Sequence, residues 1–480
     1  MTRLLLLARS HVVAAAVVSG AMVLSGCSAT GASTSARSVA KAAAGGAASP
    51  AASSGTPSSS ASPGPSPALR LLPGMPAPLS PDDVWAADRP GQLSPAVAGF
   101  RDLIYVPNSG GNTVTEIDPH TYKIVRTFVT GTQPQHVVPS WDLKTLWVNN
   151  DVGNTLTAID PRTGRKGRTV SVHDPYNLYF TPNGRYAVVM ASLDRELVWR
   201  DPQTMAVKHR TPVPCYGVNH ADFSTDGRYF IVSCEFSSQL LKVDTVTKRI
   251  VKVMASLDRE LVWRDPQTMA IKHRTPVPCY GVNHADFSVD GRYFIVSCEF
   301  SSQLLKVDTV TKKIVKVTRL ATRPGKGIPM PQDVKMAPDG KTFYVADMRS
   351  DGVWFVDGRT LTVTRFLPTG KGTHGLYVTR DSKRLLISNR GEGSISVLRF
   401  ADNKLVAKWR IPGGGSPDMG GISSDGKVFW VSGRYNGVVY AISTVDGHLI
   451  KKIAVGAAPH GLCVYPQPGR YSLGHTGVFR

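Results

Sequence analysis

Several sequence patterns that mark common enzyme and carrier sites are missing from this 480-residue chain. It has no CxxC or CxxCH segment, which excludes a thioredoxin-type redox site and covalent attachment of a c-type haem. It has no GxSxG segment, and the glycine run 413–415 lacks the strand–helix context of a phosphate-binding loop. No apolar stretch beyond the N-terminus is long enough to span a membrane. The sequence therefore identifies no catalytic residue; it favours a binding role over catalysis and leaves open whether any reaction is catalysed.

Acidic residues are also scarce, with 35 Asp and Glu against 56 Lys and Arg, so the formal net charge is +21. Such an excess favours polyanionic surroundings, such as nucleic acid, anionic lipid headgroups or acidic wall polymers. However, no Lys/Arg-rich run and no basic helix with interleaved aromatic residues marks a dedicated nucleic-acid-binding face. A solvated basic surface and a polyanion-binding surface protein both remain compatible with this charge.

The N-terminus has the features of a secretion signal. Arg3 and Arg9 precede a short run of apolar and small residues over 12–23, which is too short to be a stable membrane span. The run ends in Leu-Ser-Gly-Cys at 24–27, which resembles the lipobox of bacterial lipoproteins. This resemblance implies that residues 1–27 form a lipoprotein signal, that Cys27 is acylated, and that the mature chain is anchored to the outer face of the cell membrane.

Residues 28–81 are mostly Ala, Ser, Gly and Pro. A segment of this composition buries too little apolar surface to fold, so we predict a disordered tether with a reach of roughly 50–150 Å. The globular part is expected over 82–480. Five cysteines follow Cys27, namely Cys215, Cys234, Cys279, Cys298 and Cys463. An extracytoplasmic location permits disulfides, their pairing is left open, and the odd number leaves at least one thiol unpaired in a monomer.

The middle of the chain contains a long duplication. Residues 254–317 are a near-copy of residues 190–253, and only three positions differ: Val207 and Ile271, Thr225 and Val289, Arg249 and Lys313. Internal repetition of this kind has to be interpreted before domains are counted, because a repeat architecture can form one domain of any length.

A shorter repeat of about 42 residues runs through the globular part. Apolar strands alternate with Asn-Gly or Asp-Gly turns, such as 183–184 and 339–340, which supply the positive φ angles of tight hairpins. An Asp recurs at the end of the third strand, as at Asp118, Asp160 and Asp201, where we expect a structural role in the turn. Four short strands per 42 residues predict the blades of an all-β β-propeller.

The duplicated unit is about one and a half blades long, because the step from Asp244 to Asp265 is only 21 residues. Without the copy, the basic cycle has seven blades. The sequence predicts either an eight-bladed ring with two extruded strands or a seven-bladed ring that loops out the copy. The tail 458–465 resembles a first strand that the N-terminal blade lacks, so strands from the two chain ends should share one blade and close the ring.

Two segments carry a family resemblance, DLIYVPNSGGNTVTEIDPHTYKIVRTFVTG and KTLWVNNDVGNTLTAIDPRTG. They resemble the YVTN family of β-propeller repeat proteins, and the likeness extends over about residues 100–466. This family is similar in turn to the haem d1-binding propeller of cytochrome cd1. The resemblance implies a secreted or surface-attached propeller but assigns no reaction.

Polar side chains recur at the start of each first strand, which is expected at the mouth of the central channel. The candidate ligand-binding residues are His136, Asn177, His220, His284, Asp333, His374, Met419 and His460. Imidazoles and a carboxylate around one axis could bind a transition metal, a haem-type cofactor or an anion, or could serve only to satisfy backbone groups. We therefore expect a binding module for an unknown protein or small ligand. The alternatives are a cofactor- or metal-binding propeller, either haem d1-like or lyase-like, and a polyanion-binding surface protein.

Overall fold

The computed structural model describes residues 79–80 and 83–469, with gaps at 225–226, 238, 255–259, 265–270, 277–278, 280–281, 289–291, 309–310 and 312. The predicted signal with Cys27 lies outside the described residues, as does the predicted tether apart from Leu79 and Ser80. The helices of the described chain are three short 3-10 turns, Ala86–Asp88, Pro95–Val97 and Glu235–Ser237. Within these residues, no helix has the length and apolar character that crossing a membrane would require.

The structure is an all-β propeller of eight blades, as one of the two predicted arrangements requires. Blades 1–4 contain the following strands. Blade 1 has β1 (Leu103–Asn108), β2 (Thr113–Asp118), β3 (Lys123–Val129) and the C-terminal β34 (Cys463–Tyr465). Blade 2 has β4 (Pro134–Pro139), β5 (Leu146–Asn150), β6 (Thr155–Asp160) and β7 (Arg165–Ser171). Blade 3 has β8 (Pro175–Phe180), β9 (Ala187–Ala191), β10 (Glu196–Arg200) and β11 (Val207–Pro212), and blade 4 has β12 (Val218–Phe223), β13 (Tyr229–Cys234), β14 (Gln239–Asp244) and β15 (Ile250–Met254).

Blades 5–8 follow the same antiparallel order. Blade 5 has β18 (Val282–Phe287), β19 (Tyr293–Cys298), β20 (Gln303–Asp308) and β21 (Ile314–Arg319). Blade 6 has β22 (Pro331–Met336), β23 (Thr342–Asp347), β24 (Gly352–Asp357) and β25 (Val363–Pro368). Blade 7 has β26 (Thr373–Val378), β27 (Arg384–Asn389), β28 (Ser394–Arg399) and β29 (Lys404–Arg410), and blade 8 has β30 (Pro417–Ile422), β31 (Val428–Gly433), β32 (Val438–Ser443) and β33 (Leu449–Ala454).

Two further strands extend blade 4 outward. Strands β16 (Glu260–Arg264) and β17 (Ile271–Pro276) pair beyond β15, so the sheet of blade 4 has six strands in the order β12 to β17. Their sequences copy those of β10 and β11, the outer strands of blade 3. The second half of the copy forms blade 5. The predicted extrusion of two strands is therefore confirmed, and the alternative of a seven-bladed ring with the copy looped out is wrong.

Both chain ends contribute to the closure of the ring. Strand β34 pairs with β1 through Leu103↔Tyr465, Ile104↔Val464 and Tyr105↔Cys463, so the predicted sharing of one blade by the two ends is confirmed. The first strands then touch each neighbour in a complete circle of β34, β4, β8, β12, β18, β22, β26 and β30. A ring that closes in this way leaves no exposed edge at the first strands, which is how propellers limit edge pairing.

The core lies between adjacent blades rather than inside any one of them. Eight apolar clusters each combine residues of two neighbours, as Trp147 of blade 2 packs with Phe180 and Val189 of blade 3. Inner strands are therefore buried on both faces, as Leu103–Asn108 is along its whole length, while the outer strand Lys123–Val129 is mostly exposed. This arrangement explains why the inner strands consist of continuous apolar runs and the outer strands are polar.

The recurrent Asp residues have the structural role that was expected. Asp118 accepts hydrogen bonds from the backbone N–H groups of His120 and Thr121 at 2.8 and 3.2 Å, and Asp357 accepts one from Thr360 at 2.6 Å. These Asx-type turns join the third strand to the fourth strand.

The cysteines of the duplicated unit pair within each copy. Disulfides link Cys215 to Cys234 and Cys279 to Cys298, while Cys463 is a buried free thiol. Each disulfide joins the loop before a first strand to the end of the second strand of the same blade. The pairing that the sequence left open thus ties together two chain segments at one end of the ring.

Candidate ligand-binding site at the channel mouth

The first strands begin at one end of the ring, which we call the mouth face. This face also carries the loops that join second strands to third strands. A β-bulge interrupts pairing at the start of each first strand from blade 2 to blade 8, as between Pro134 and Val137 in blade 2. An extra residue at a bulge re-aims side chains, and here it turns polar side chains toward the axis.

The predicted residues occupy two successive positions along the strands, not one. His136, His220, His284 and Asp333 stand two residues after the last paired residue before the bulge. His374 follows the paired Thr373 directly, and His460 follows Pro459, which bridges to Asn108. His374 and His460 therefore do not share one repeat position with His136, His220 and His284, although all five lie at the start of first strands. Because His374 and His460 come one residue earlier in their strands than the other three His, their imidazoles lie nearer the mouth.

The inner ring consists of His136, His220, His284 and Asp333. The rings of His220 and His284 stack with centroids 5.2 Å apart, and His136 lies 6.5 Å from His220. His136 is fully buried, and a side chain at Gly461 would place its Cβ 2.5 Å from the His136 ring. Glycine at 461 is thus required for the close approach of blades 1 and 2.

The mouth ring consists of Tyr176, His374, Asp418 and His460. Asp418, with 1% of its side chain exposed, accepts a hydrogen bond from Arg390 Nη1 at 2.9 Å, and Arg434 Nη1 lies 3.5 Å from its other oxygen. His374 Nδ1 lies 3.4 Å from Asp418 Oδ1. The ring of His460 lies 5.3 Å from that of His136, which connects the two rings.

Two of the predicted residues do not take the expected place. Asn177 directs its amide to its own strand, where it donates to Tyr179 Oη at 3.2 Å and accepts from the Leu178 N–H at 2.9 Å. Tyr176 approaches the axis instead, with its ring 6.0 Å from His136 and 6.3 Å from His220. Met419 stands two residues after the paired Pro417, at the strand position of the inner ring, but its thioether carries no charge, and the residue before it, Asp418, carries the charge at the mouth. Whether any of the predicted residues binds a ligand stays a prediction.

Arg390 and Arg434 were missed by sequence reasoning. Each is the first residue after the second strand of its blade, β27 in blade 7 and β31 in blade 8. A comparison of this repeat position across the blades would have found them, because two Arg occur there next to a first strand that carries an Asp.

Burial sets the charge of both rings at neutral pH. Burial lowers the pKa of His136 and His284 to about 3, aided by the neighbouring His220 and His374 respectively, and holds the pKa of His220 and His460 well below the usual range. Burial also lowers the pKa of His374, although Asp418 opposes this effect. Burial alone would raise the pKa of Asp418, but His374, His460 and the two Arg together lower it to about 2. The mouth ring thus holds neutral imidazoles and one carboxylate, and the guanidinium groups of Arg390 and Arg434 contact that carboxylate.

The channel is narrow beneath the rings. A cavity of about 110 Å³ is bounded above by His284, Asp333 and His374 and below by Trp85 and Gln467. Trp85 Nε1 donates to the Met336 carbonyl oxygen at 3.2 Å, which fixes the segment before β1 across the far end. No three His, Cys, Asp or Glu side chains of the described chain are grouped closely enough to hold a metal ion.

The fold has known counterparts among solved structures. A dihydro-heme d1 dehydrogenase, NirN, in complex with DHE, matches with a TM-score of 0.56 and 16% identity, over 82% of this chain and 80% of that chain. Hydrazine synthase of Kuenenia stuttgartiensis matches with a TM-score of 0.46 and 18% identity, over 65% of this chain and 96% of that chain. A functionally unknown protein from Desulfotomaculum acetoxidans matches with a TM-score of 0.46 and 12% identity, over 75% and 98%. The comparison with curated proteins finds no match.

A family profile described as YNCE-like beta-propeller matches residues 91–200 and 322–469, which together are more than half of the chain. The interval between the two matched segments contains most of the duplicated unit, where the phase of the repeat is broken. Blade pattern, ring closure and profile agree, and the chain belongs to the YNCE-like β-propeller family.

Proposed function

We propose that this protein is an extracytoplasmic binding module, held at the outer face of the cell membrane by lipidated Cys27, and that the mouth ring binds a small anionic ligand. The supporting observation is that positive groups outnumber negative groups at the mouth. Two guanidinium groups, Arg390 and Arg434, share the single carboxylate of Asp418. Their side chains are 18% and 32% exposed, so both can be reached from solvent, while Asp418 cannot.

The chemistry of these groups favours a carboxylate or a phosphate ester. Guanidinium presents N–H donors in a planar fork that matches both kinds of anion, and such pairs are strong when they are partly desolvated. The buried Nδ1 of His460 has no hydrogen-bond partner within the described chain, which leaves one polar atom available beside Asp418. A ligand that spans Arg390 and Arg434 would therefore gain two charge-assisted contacts without displacing the buried carboxylate.

A macrocyclic or metal cofactor has less support. The cavity of about 110 Å³ under the rings is far smaller than the roughly 300–1,000 Å³ of typical small-molecule pockets. A macrocycle of the kind named for the NirN neighbour does not fit inside this channel, and the described chain offers no grouped metal ligands. The alternative of a metal- or haem-binding mouth is kept as an outcome of the test below.

The first prediction concerns ligand class. We expect sulfate, phosphate and citrate to raise the melting temperature of the full chain in detergent at low millimolar concentrations, below those at which excluded salts stabilise proteins in general, because an anion bound at the mouth stabilises the folded state alone. The triple variant Arg390→Met, Arg434→Met, Asp418→Asn should lose this response, since it removes both cations together with the carboxylate that they neutralise. Thermal unfolding followed by intrinsic fluorescence measures the response.

A matched control changes an ion pair at the opposite end of the ring. Arg399 and Asp402 pair at 2.6 Å in the turn between the third and fourth strands of blade 7. The variant Arg399→Met, Asp402→Asn should respond to anions as the parent does. Stabilisation by Zn²⁺, Cu²⁺ or haem without any anion response would instead favour the cofactor alternative and would refute anion binding.

The second prediction concerns the anchor. We expect the mature N-terminal peptide to begin at Cys27 and to carry acyl chains, because small residues precede this Cys at the end of the signal-like run. The Cys27→Ser variant should be released from membranes. Mass spectrometry of that peptide and fractionation of cells measure both effects. Undiminished membrane retention of the variant, together with a parent peptide that has no lipid mass, would show the prediction to be wrong.

A further inference from the structure

The most exposed apolar side chains of the described chain are concentrated at one end of the ring. Nine large apolar residues have more than half of their surface exposed, and Val445 alone among them lies at the end opposite the mouth. The other eight lie on the mouth face: Val129, Val152, Leu193, Tyr216, Phe236, Phe300, Ile328 and Tyr435. Single exposed apolar residues are ordinary on protein surfaces, but a set confined to one face marks an interaction surface.

Five of these residues occupy the same repeat position. Each is the second residue after the second strand of its blade: Val152, Leu193, Phe236, Phe300 and Tyr435 in blades 2, 3, 4, 5 and 8. A propeller places equivalent positions at equal height around its axis. The side chains therefore stand at the tips of separate loops in one plane around the polar mouth, and we call this set the apolar rim.

The rim is held rigidly where it is most aromatic. The Cys215–Cys234 disulfide joins the loop of Tyr216 to the loop of Phe236. Gly217 between them has a φ of +74°, and a Cβ there would approach the Phe236 ring to 2.7 Å. The two loops thus pack against one another. Phe236 is 67% exposed on a loop that the disulfide and this packing hold in place.

Basic side chains occupy the part of the mouth face near blades 6 and 7, where the apolar rim has no member. In blade 6 the same repeat position is taken by Arg349, which is exposed, and exposed Lys371 lies in the loop between blades 6 and 7. Neither side chain forms an ion pair within the described chain. The acidic side chains on this side are largely buried or paired, as Glu392 is with Lys408 and Arg410 at 3.1 and 3.0 Å.

We infer that the mouth face docks on an anionic lipid surface, with the apolar rim inserted among the headgroups and acyl chains and with Arg349 and Lys371 facing lipid phosphates. Coplanar, separated loop tips suit a flat fluid partner, because each tip can insert without a complementary pocket. Apolar insertion combined with cations is what binds peripheral proteins to anionic bilayers. The inference rests on the rim and goes beyond the anion site at the mouth ring.

A folded protein partner or a second copy of this chain fits the rim less well. A protein interface needs a continuous, well-packed apolar centre with a polar border. Here the order is reversed, since the centre is the polar mouth with Arg390, Arg434 and Asp418, and the apolar residues surround it. A bilayer accepts this order, because its surface presents phosphates everywhere and its acyl chains lie below every point of the rim.

The test uses the chain from Ser28 to Arg480, which retains the predicted tether and lacks the lipidated Cys27. The propeller lies wholly within the compact unit Pro65–Arg480 and closes on itself, so this form contains every blade. We expect it to float with equimolar phosphatidylglycerol–phosphatidylcholine vesicles and not with phosphatidylcholine alone. The variant Leu193→Ser, Phe236→Ser, Phe300→Ser should bind the anionic vesicles about tenfold more weakly or worse.

A matched control lies on the opposite face. Val246 and Val445 are exposed in turns at the far end, so Val246→Ser, Val445→Ser should leave vesicle affinity unchanged. Arg349→Gln and Lys371→Gln should each weaken it about fivefold. Equal weakening by the control pair, or no flotation of the parent, would overturn the inference.

Two further readouts separate other partners from lipid. Retention on dextran sulfate without vesicle binding would indicate a polyanion-binding surface, and dimerisation that the rim variant abolishes would indicate a second copy; either result overturns the inference. The rim variant should still respond to sulfate in thermal unfolding, so failure of the mouth ring and failure of the rim are told apart.

Discussion

Loss of both guanidinium groups at the mouth should destabilise the fold by about 3–5 kcal/mol, because the Arg390→Met, Arg434→Met variant leaves the buried carboxylate of Asp418 without its two cationic partners. Asp418 has 1% of its side chain exposed, so water cannot replace the lost partners. Urea unfolding at pH 7.5 measures the free energy of unfolding of parent and variant.

The rescue experiment separates charge from packing. Adding Asp418→Asn to the double variant removes the unpaired charge and should restore most of the lost stability, although anion binding should stay absent. The pKa of Asp418 is about 2 in the folded protein and 3.8 ordinarily, so the carboxylate stabilises the fold above pH 4. That contribution is lost as the pH falls through the interval between these values. A double variant that loses less than about 1 kcal/mol would mean that the ion pairs are already effectively solvated.

The second large effect is expected from removing the copy. Deleting Met254–Val317 joins Val253 to Thr318, removes β16, β17 and blade 5, and should give a seven-bladed ring with regular phase. Blade 4 would then contact blade 6. This new interface keeps its chemistry, because residues 218–253 and 282–317 differ only at Thr225/Val289 and Arg249/Lys313. We expect a melting temperature at least equal to that of the parent, with a smaller particle in X-ray scattering.

A shorter deletion is the matched control. Removing Ala255–Pro276 takes away the extruded strands alone and joins Met254 to Val277, so that Val-Pro-Cys follows a fourth strand as it does after β11. This variant should keep eight blades and the parent's melting temperature. A drop of more than about 4 °C in the shorter deletion, equivalent to ~1 kcal/mol or more, would mean that the extra strands stabilise the ring, and the same drop in the longer deletion would count against a seven-bladed ring of equal stability.

The fold could be predicted from local sequence because each blade repeats the same turn chemistry. Asn-Gly and Asp-Gly turns and the Asp of the third-strand turn depend on residues close in the chain, and the tail 458–465 was recognisable as a missing first strand. The choice between seven and eight blades depends on how many sheets close the circle. That number is set by packing between blades, and the duplicated sequence supports blade packing of the same quality in either ring.

The site was only partly predictable, for a reason of register. His374 and His460 come one residue after the last paired residue of their strands, whereas His136 comes two residues after it, and this register depends on strand pairing that repeat spacing does not reveal. Arg390 and Arg434 are near Asp418 only because loops of blades 7 and 8 converge at the axis. The disulfide pairing likewise followed from the proximity of a loop and a strand end, which sequence separation alone leaves undetermined.

The central proposal, an anion site at the mouth ring, is tested most directly by calorimetric titration of the full chain with sulfate at pH 7.5 and at pH 6.0. Sulfate keeps its charge over this interval, so any change in affinity comes from the protein. Burial lowers the pKa of all five imidazoles, so they stay mostly neutral over this interval; the two guanidinium groups carry the binding, and the affinity for sulfate should be nearly the same at both pH values. Binding that is absent at both pH values, that weakens at pH 6.0, or that persists in the Arg390→Met, Arg434→Met, Asp418→Asn variant would contradict the proposal.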